Sequence, residues 1–173
     1  GTLPQGAAAY EKRGVAVTVP EWIPENCIQC NQCAYVCPHA TIRPFAMDAK
    51  EAKKAPASTK FAAKMIGKGC EDYKFTMAIS PLDCMGCGLC VNVCPVTVKA
   101  KANGTPEKAA LKMVPQESQS AQQAAFDYAV ANVSKKKDLP FAEVSVKGSQ
   151  FNQPLLEFSG SCAGCAETSY ARL

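Results

Sequence analysis

Two runs of four cysteines constrain this chain more than anything else in it. Cys27, Cys30, Cys33 and Cys37 are followed by Pro38, and Cys84, Cys87, Cys90 and Cys94 by Pro95. Every member of the first run recurs in the second at one constant offset, so both read C-x2-C-x2-C-x3-C-P. A fold that uses them must gather eight thiols into two compact groups, and the repeat predicts two similar halves. The chain holds 11 cysteines, an odd number, so internal disulfides cannot pair them all. Its opening, GTLPQGAAAYEKRG, has no charged segment leading into an apolar core, which argues against a secreted disulfide scaffold. It also begins without methionine, so a processed chain or a piece of a longer one is expected.

The spacing is that of bacterial two-cluster ferredoxins. A 4Fe–4S cube takes one thiolate per iron. Three cysteines at intervals of three let a tight loop wrap one face of the cube and turn backbone N–H groups toward its sulfides. The fourth cysteine sits where the chain turns into a helix, points away from its own loop, and ligates the neighbouring cluster. The proline after it removes an N–H and fixes the backbone. Gly86 and Gly88 strip side chains from the second loop and permit close backbone approach. Cluster one is therefore assigned to Cys27, Cys30, Cys33 and Cys94, and cluster two to Cys84, Cys87, Cys90 and Cys37. Structural zinc prefers two cysteine pairs separated by a longer gap, and such crowded runs would strain it.

The formal net charge is +4. Each oxidised cluster with four thiolates adds about −2, which takes the total to about zero. Nucleic-acid binding therefore has little support. No apolar run approaches the roughly 18–20 residues of a membrane span. Two adjacent clusters form a wire for single electrons, with no substrate chemistry of their own.

The expected fold is α+β, ferredoxin-like, with a pseudo-two-fold repeat. Strands are expected over 14–22, 41–45, 75–80 and 110–115, from short β-branched or alternating runs. The Lys- and Ala-rich segment 48–69 reads as an inserted loop, partly helical. Residues 117–134 make the best helix, with Ala121, Ala125, Tyr128 and Ala129 on one face. KKKDLP should end it, and the remainder reads as an extended linker. The domains expected are an extended arm (1–22), a two-cluster unit (23–115), a helix and linker (116–150) and the start of another domain (151–173).

Cys162 and Cys165, in GSCAGC, form a further Cys-x-x-Cys pair. A thioredoxin-like site would want a βαβ context, which is missing. A zinc half-site would need a second pair, and only Cys70 is unassigned. The remaining reading is a third cluster with two ligands here and two elsewhere.

AAAYEKRGVAVTVPEWIPENCIQCNQCAYVCPHATIRPF, SPLDCMGCGLCVNVCP and VKGSQFNQPLLEFSGSCAGCAETSY together resemble pyruvate:ferredoxin (flavodoxin) oxidoreductase, in order and over nearly the whole chain. Segments 48–69 and 99–135 match loosely, and Ala166 stands where the family commonly has Gly. Pyruvate:NADP oxidoreductase shares this core. The resemblance implies a large thiamine-diphosphate and Mg2+ enzyme that decarboxylates pyruvate oxidatively to acetyl-CoA. Its electrons leave through three 4Fe–4S clusters, the third held partly by Cys162 and Cys165. The implied partners are the rest of the polypeptide, a second copy, and ferredoxin, flavodoxin or a flavoprotein domain that reduces NADP. The implied compartment is the cytoplasm, or an organelle in a eukaryotic source. No thiamine-diphosphate ligand is expected in this chain, which alone would only carry electrons. A free-standing two-cluster ferredoxin is the alternative, and the specific tail argues against it.

Other residues carry less. His39, the only histidine, is expected to cap a turn or face solvent. Cys70 lacks partner spacing and reads as a plain cysteine. Trp22 and Tyr35 flank the first loop and would shield a cluster or simply pack. Lys50, Lys53, Lys54, Lys60, Lys64 and Lys68 read as a solvated face, with an acidic docking partner as the alternative.

Overall fold

The computed structural model describes residues 7–154 and 157. Four short strands and six helices follow one another as β1 (Thr18–Trp22), α1 (Gln32–Tyr35), β2 (Ile42–Met47), α2 (Ala49–Lys54), β3 (Lys74–Ile79), α3 (Leu89–Val93), α4 (Pro95–Ala102), β4 (Leu111–Pro115), α5 (Gln122–Asn132) and α6 (Val146–Ser149). β1 leads into the first cysteine run and β2 leaves it; β3 leads into the second, and β4 leaves after α4. The strands pair crosswise and antiparallel. β1 lies on β4, with Thr18 opposite Pro115 and Trp22 opposite Leu111. β2 lies on β3, with Ile42 opposite Ile79 and Met47 opposite Lys74. Each sheet has two strands, so every strand is an edge, and Pro20 and Pro44 sit within strands because no third strand needs their N–H.

The main core joins the two sheets. Trp22, Ile42, Phe75, Met77, Ile79 and Leu111 pack there, and Cys33, Cys37, Cys90 and Cys94 belong to the same cluster. Phe75 is fully buried and meets Trp22 edge-on, ring centroids 5.9 Å apart. Burying such a side chain contributes about 2–3 kcal/mol. On the other side of β3, Phe126 and Ala129 of α5 pack with Met47 and Ala78.

Segment 48–69 carries α2, started by a capping box between Asp48 and Glu51. It then runs along the free edge of β3, where the Ala62 N–H donates to the Phe75 carbonyl at 2.9 Å. The Thr76 hydroxyl adds a 2.6 Å bond to the Lys60 carbonyl.

The helix expected at 117–134 starts later. Gln116–Gln119 form a 3-10 turn instead. Ser118 and Ser120 donate their hydroxyls to the Pro115 and Glu117 carbonyls and hold that tighter turn. The tail expected to be extended holds α6. Ser145 accepts from the Gly148 N–H as its N-cap, and a Cβ at Gly148 would sit 2.1 Å from the Ala142 carbonyl oxygen. Cys162 and Cys165 lie outside the described residues. Among those described, no helix is long and apolar enough to cross a membrane.

Candidate metal centres

Each cysteine run begins as a loop with left-handed residues at alternate positions. In the second loop these are Gly86 (φ 69°) and Gly88 (φ 74°). In the first they are Gln29 (φ 56°) and Asn31 (φ 63°), at the same places in the repeat. This winding aims N–H groups inward. Gln29 N–H donates to the Cys27 sulfur at 3.3 Å, and Gly86 N–H to the Cys84 sulfur at 3.4 Å. The loops then enter α1 and α3, which begin at equivalent positions of the repeat, Gln32 and Leu89, and pack together.

The two loops solve the left-handed problem differently. Glycine takes that conformation at little cost, whereas other residues lose about 1–2 kcal/mol. Gly86 is also sterically required. A Cβ there would lie 2.9 Å from the Thr18 carbonyl oxygen and 3.2 Å from the Ala16 Cβ. Gln29 and Asn31 offset their strain with side-chain bonds. Gln29 Nε2 donates to the Lys64 carbonyl and Gln29 Oε1 accepts from the Ile66 N–H, both at 2.7 Å. Asn31 Nδ2 donates to the Lys147 carbonyl at 2.9 Å. The first loop thus grips both the inserted segment and the start of α6. Sequence reading passed over these two residues; the signal was their alignment with glycines in the second copy.

The eight cysteines line two cavities. One is bounded by Cys27, Cys30, Cys33 and Cys94, with Trp22 and Asn31. The other is bounded by Cys37, Cys84, Cys87 and Cys90, with His39 and Thr41. The last cysteine of each run therefore sits with the first three of the other. Cys87 is exposed, while Cys33, Cys37, Cys84, Cys90 and Cys94 are buried. A further, larger pocket, with Arg43, Val130, Lys136 and Phe151 among its walls, contains no cysteine.

Burial sets the chemistry of these thiols. It pushes Cys33 well above the usual thiol range and Cys84 up to about 11, and it raises Cys90. Neighbouring thiols raise them further, and for Cys33 the foremost of these is Cys90 of the other cavity. Burial also raises Cys27, and the Trp22 indole N–H beside it works in the opposite direction. Thiolates in such places need compensating positive charge, which bound iron supplies.

Among the described residues, no three His, Cys, Asp or Glu side chains converge closely enough to hold a single metal ion. A four-iron cube, with one thiolate on each iron, asks instead for ligands spread around a volume. Buried side-chain atoms without partners include Trp22 Nε1, Asn31 Oδ1 and His39 Nε2, and all three residues line these cavities. An unpaired buried polar atom costs about 1–3 kcal/mol, so their placement fits cavities that take a polar group. The residues present fit 4Fe–4S clusters.

Several other expectations meet the structure here. His39 is buried rather than facing solvent, because the turn after Pro38 folds it against the second cavity. Desolvation lowers its pKa below the usual imidazole value. Cys70 is fully buried in the main core. Trp22 lines the first cavity, and Tyr35 is half-buried outside both. Lys50, Lys53, Lys54, Lys64 and Lys68 are exposed, while Lys60 reaches Glu21 at 2.9 Å. Thr41 was not singled out by sequence. Its N–H donates to the Cys37 sulfur at 3.4 Å, and its hydroxyl lies 3.4 Å from the same sulfur.

Comparison with known proteins supports iron–sulfur clusters in this chain. Residues 26–98 match the model of a 4Fe-4S dicluster domain. The whole chain is 50% identical to a pyruvate-flavodoxin oxidoreductase of Klebsiella pneumoniae and 51% identical to a pyruvate:ferredoxin oxidoreductase of Moorella thermoacetica. Over its whole length the chain is similar to one segment of pyruvate oxidoreductases. The chain spans 14% of the length of each of those two relatives. It is also 42% identical, over its full length, to a mitochondrial pyruvate dehydrogenase [NADP(+)] of Euglena gracilis, of which it covers 9%.

Proposed function

We propose that this chain is the electron-transfer segment of a pyruvate:ferredoxin/flavodoxin oxidoreductase and holds two 4Fe–4S clusters with crossed ligands. Cys27, Cys30, Cys33 and Cys94 hold cluster one; Cys84, Cys87, Cys90 and Cys37 hold cluster two. The observation that carries this is the division of the eight thiols into two cavities, each walled by three cysteines of one run and one of the other. When bound, each cluster supplies acceptance and release of one electron at a time. The chain's own residues do the rest. The left-handed loops aim N–H groups at sulfur, the apolar walls limit water, and the α1–α3 contact holds the two cavities side by side. Exposed Cys87 makes the second cavity the one nearer an external partner. The crosswise strand pairing and the aligned loops support a pseudo-two-fold relation between the halves.

In the complete enzyme, thiamine diphosphate and Mg2+ bind outside this chain, pyruvate is decarboxylated oxidatively there, and Cys162 and Cys165 give two ligands to a third cluster. Ferredoxin or flavodoxin takes the electrons from a cytoplasmic homodimer. A flavoprotein domain reducing NADP is the second reading, favoured by the Euglena relative.

The test compares single serine substitutions by iron content and by the spectra of the reduced clusters. Cys37→Ser should reproduce the loss caused by Cys87→Ser, and Cys94→Ser that caused by Cys30→Ser. If Cys37→Ser instead matches Cys30→Ser, the crossed assignment is wrong.

A further inference from the structure

Two halves built on one motif would give two clusters of similar potential unless something breaks the repeat at the metal. The structure has two such breaks. Trp22 lines the first cavity, and its counterpart in the second copy is Ile79, which has no polar side-chain group. Thr41 lines the second cavity, and its counterpart is Val98. Val98 is half exposed, and its N–H is committed to the Cys94 carbonyl inside α4. Neither donor is duplicated in the other half.

We propose that the Trp22 indole N–H is a hydrogen-bond donor to cluster one and the Thr41 hydroxyl and N–H are donors to cluster two, so that two positions outside the repeat set the two potentials separately. The inference rests on the crossed ligand sets proposed above.

Trp22 is 3% exposed, and its ring is fixed edge-on against Phe75. The indole N–H makes no well-aligned bond to any protein atom. Trp22 lines the first cavity together with Cys27, Cys30, Cys33 and Cys94. A buried indole N–H needs an acceptor, and sulfur held in that cavity would supply one. Thr41 is also buried, with both its donors 3.4 Å from the Cys37 sulfur. It lines the second cavity together with Cys84, Cys87 and Cys90.

The sign follows from charge. Reduction adds an electron to an already anionic group, so a hydrogen bond to sulfur stabilises the reduced form more than the oxidised form. Removing the donor lowers the potential. Losing one charge-assisted bond that favours the reduced form should change the reduction equilibrium about tenfold, which for one electron is about 59 mV.

The experiment is a redox titration of the cluster-loaded protein, followed by the electron paramagnetic resonance of each reduced cluster. Signals are assigned beforehand by their loss in Cys30→Ser and in Cys87→Ser. Trp22→Phe should make reduction of cluster one about tenfold harder and leave cluster two unchanged. Thr41→Val should do the reverse. Indole 15N-labelled tryptophan should give a hyperfine coupling to reduced cluster one that is absent in Trp22→Phe. This coupling is read on the unsubstituted protein, so it decides the Trp22 assignment even if the variant loads iron poorly. Unshifted potentials with both clusters loaded, or equal shifts of both, would overturn the tuning inference and leave the ligand sets standing. A Thr41→Val shift confined to the Cys30-dependent cluster would overturn the ligand sets, because Thr41 acts on the Cys37 sulfur.

Discussion

Replacing Gln29 by glycine puts two opposing effects on one residue. The equivalent position in the second loop is already Gly86, so the backbone conformation is one glycine favours. The exchange relieves about 1–2 kcal/mol of left-handed strain. Against this, glycine frees the unfolded chain by about 0.5–1 kcal/mol. The substitution also removes the bonds to the Lys64 carbonyl and from the Ile66 N–H, each contributing about 1 kcal/mol net. The balance is a loss of about 1 kcal/mol, concentrated where the inserted segment meets the first loop. That corresponds to roughly fivefold easier local opening. Amide hydrogen exchange at Ile66 reads it directly, with Ala62, bonded to the Phe75 carbonyl, as the internal control. Gln29→Gly should speed exchange at Ile66 at least about fivefold, since that N–H also loses its own acceptor, and leave Ala62 unchanged. Unchanged protection at Ile66, or a more stable protein, would show that strain relief outweighs the anchoring bonds.

Two further outcomes follow from the same geometry. Gly86→Ala adds left-handed strain of about 1–2 kcal/mol and a Cβ 2.9 Å from the Thr18 carbonyl, whereas Gly69→Ala, with open space around it, adds strain alone. Loss of cluster absorbance on heating should therefore come earlier in Gly86→Ala than in Gly69→Ala, and equal midpoints would mean that β1 yields freely. Stripping the iron with a chelator should abolish cooperative unfolding of 15–115, because Cys33, Cys37, Cys90 and Cys94 are members of the main core; a cooperative transition retained without iron would refute this.

The metal-binding part of this molecule was legible in the sequence because it is written twice. The constant offset alone pairs the two loops, their helices and the cysteine that leaves each, and the four strand positions follow from short alternating runs. What escaped reading sits where the copies differ. Gln29 and Asn31 looked like ordinary polar loop residues, and only their alignment with Gly86 and Gly88 marks them as left-handed. Their role depends on carbonyls far away in the chain, those of Lys64 and Lys147. His39 was expected at the surface because a lone histidine after proline says nothing about which way the turn folds. Thr41 was hidden inside an apolar run that reads as a strand. The one-turn helix α6 had a local signal, a serine three positions before a glycine, but it is too short for periodicity to register.

The exchange of the fourth cysteine also has a consequence for synthesis. The wall that Cys94 gives to the first cavity is made long after Cys33 has left the ribosome, with α2, β3 and the second loop still to come. Neither cavity can close on the nascent chain until α3 is complete. On the ligand sets proposed above, iron delivered earlier would meet only three of the four thiols of cluster one. The two halves are therefore obliged to mature together, and a lesion in either should be felt by both during assembly, well before it is felt in electron flow.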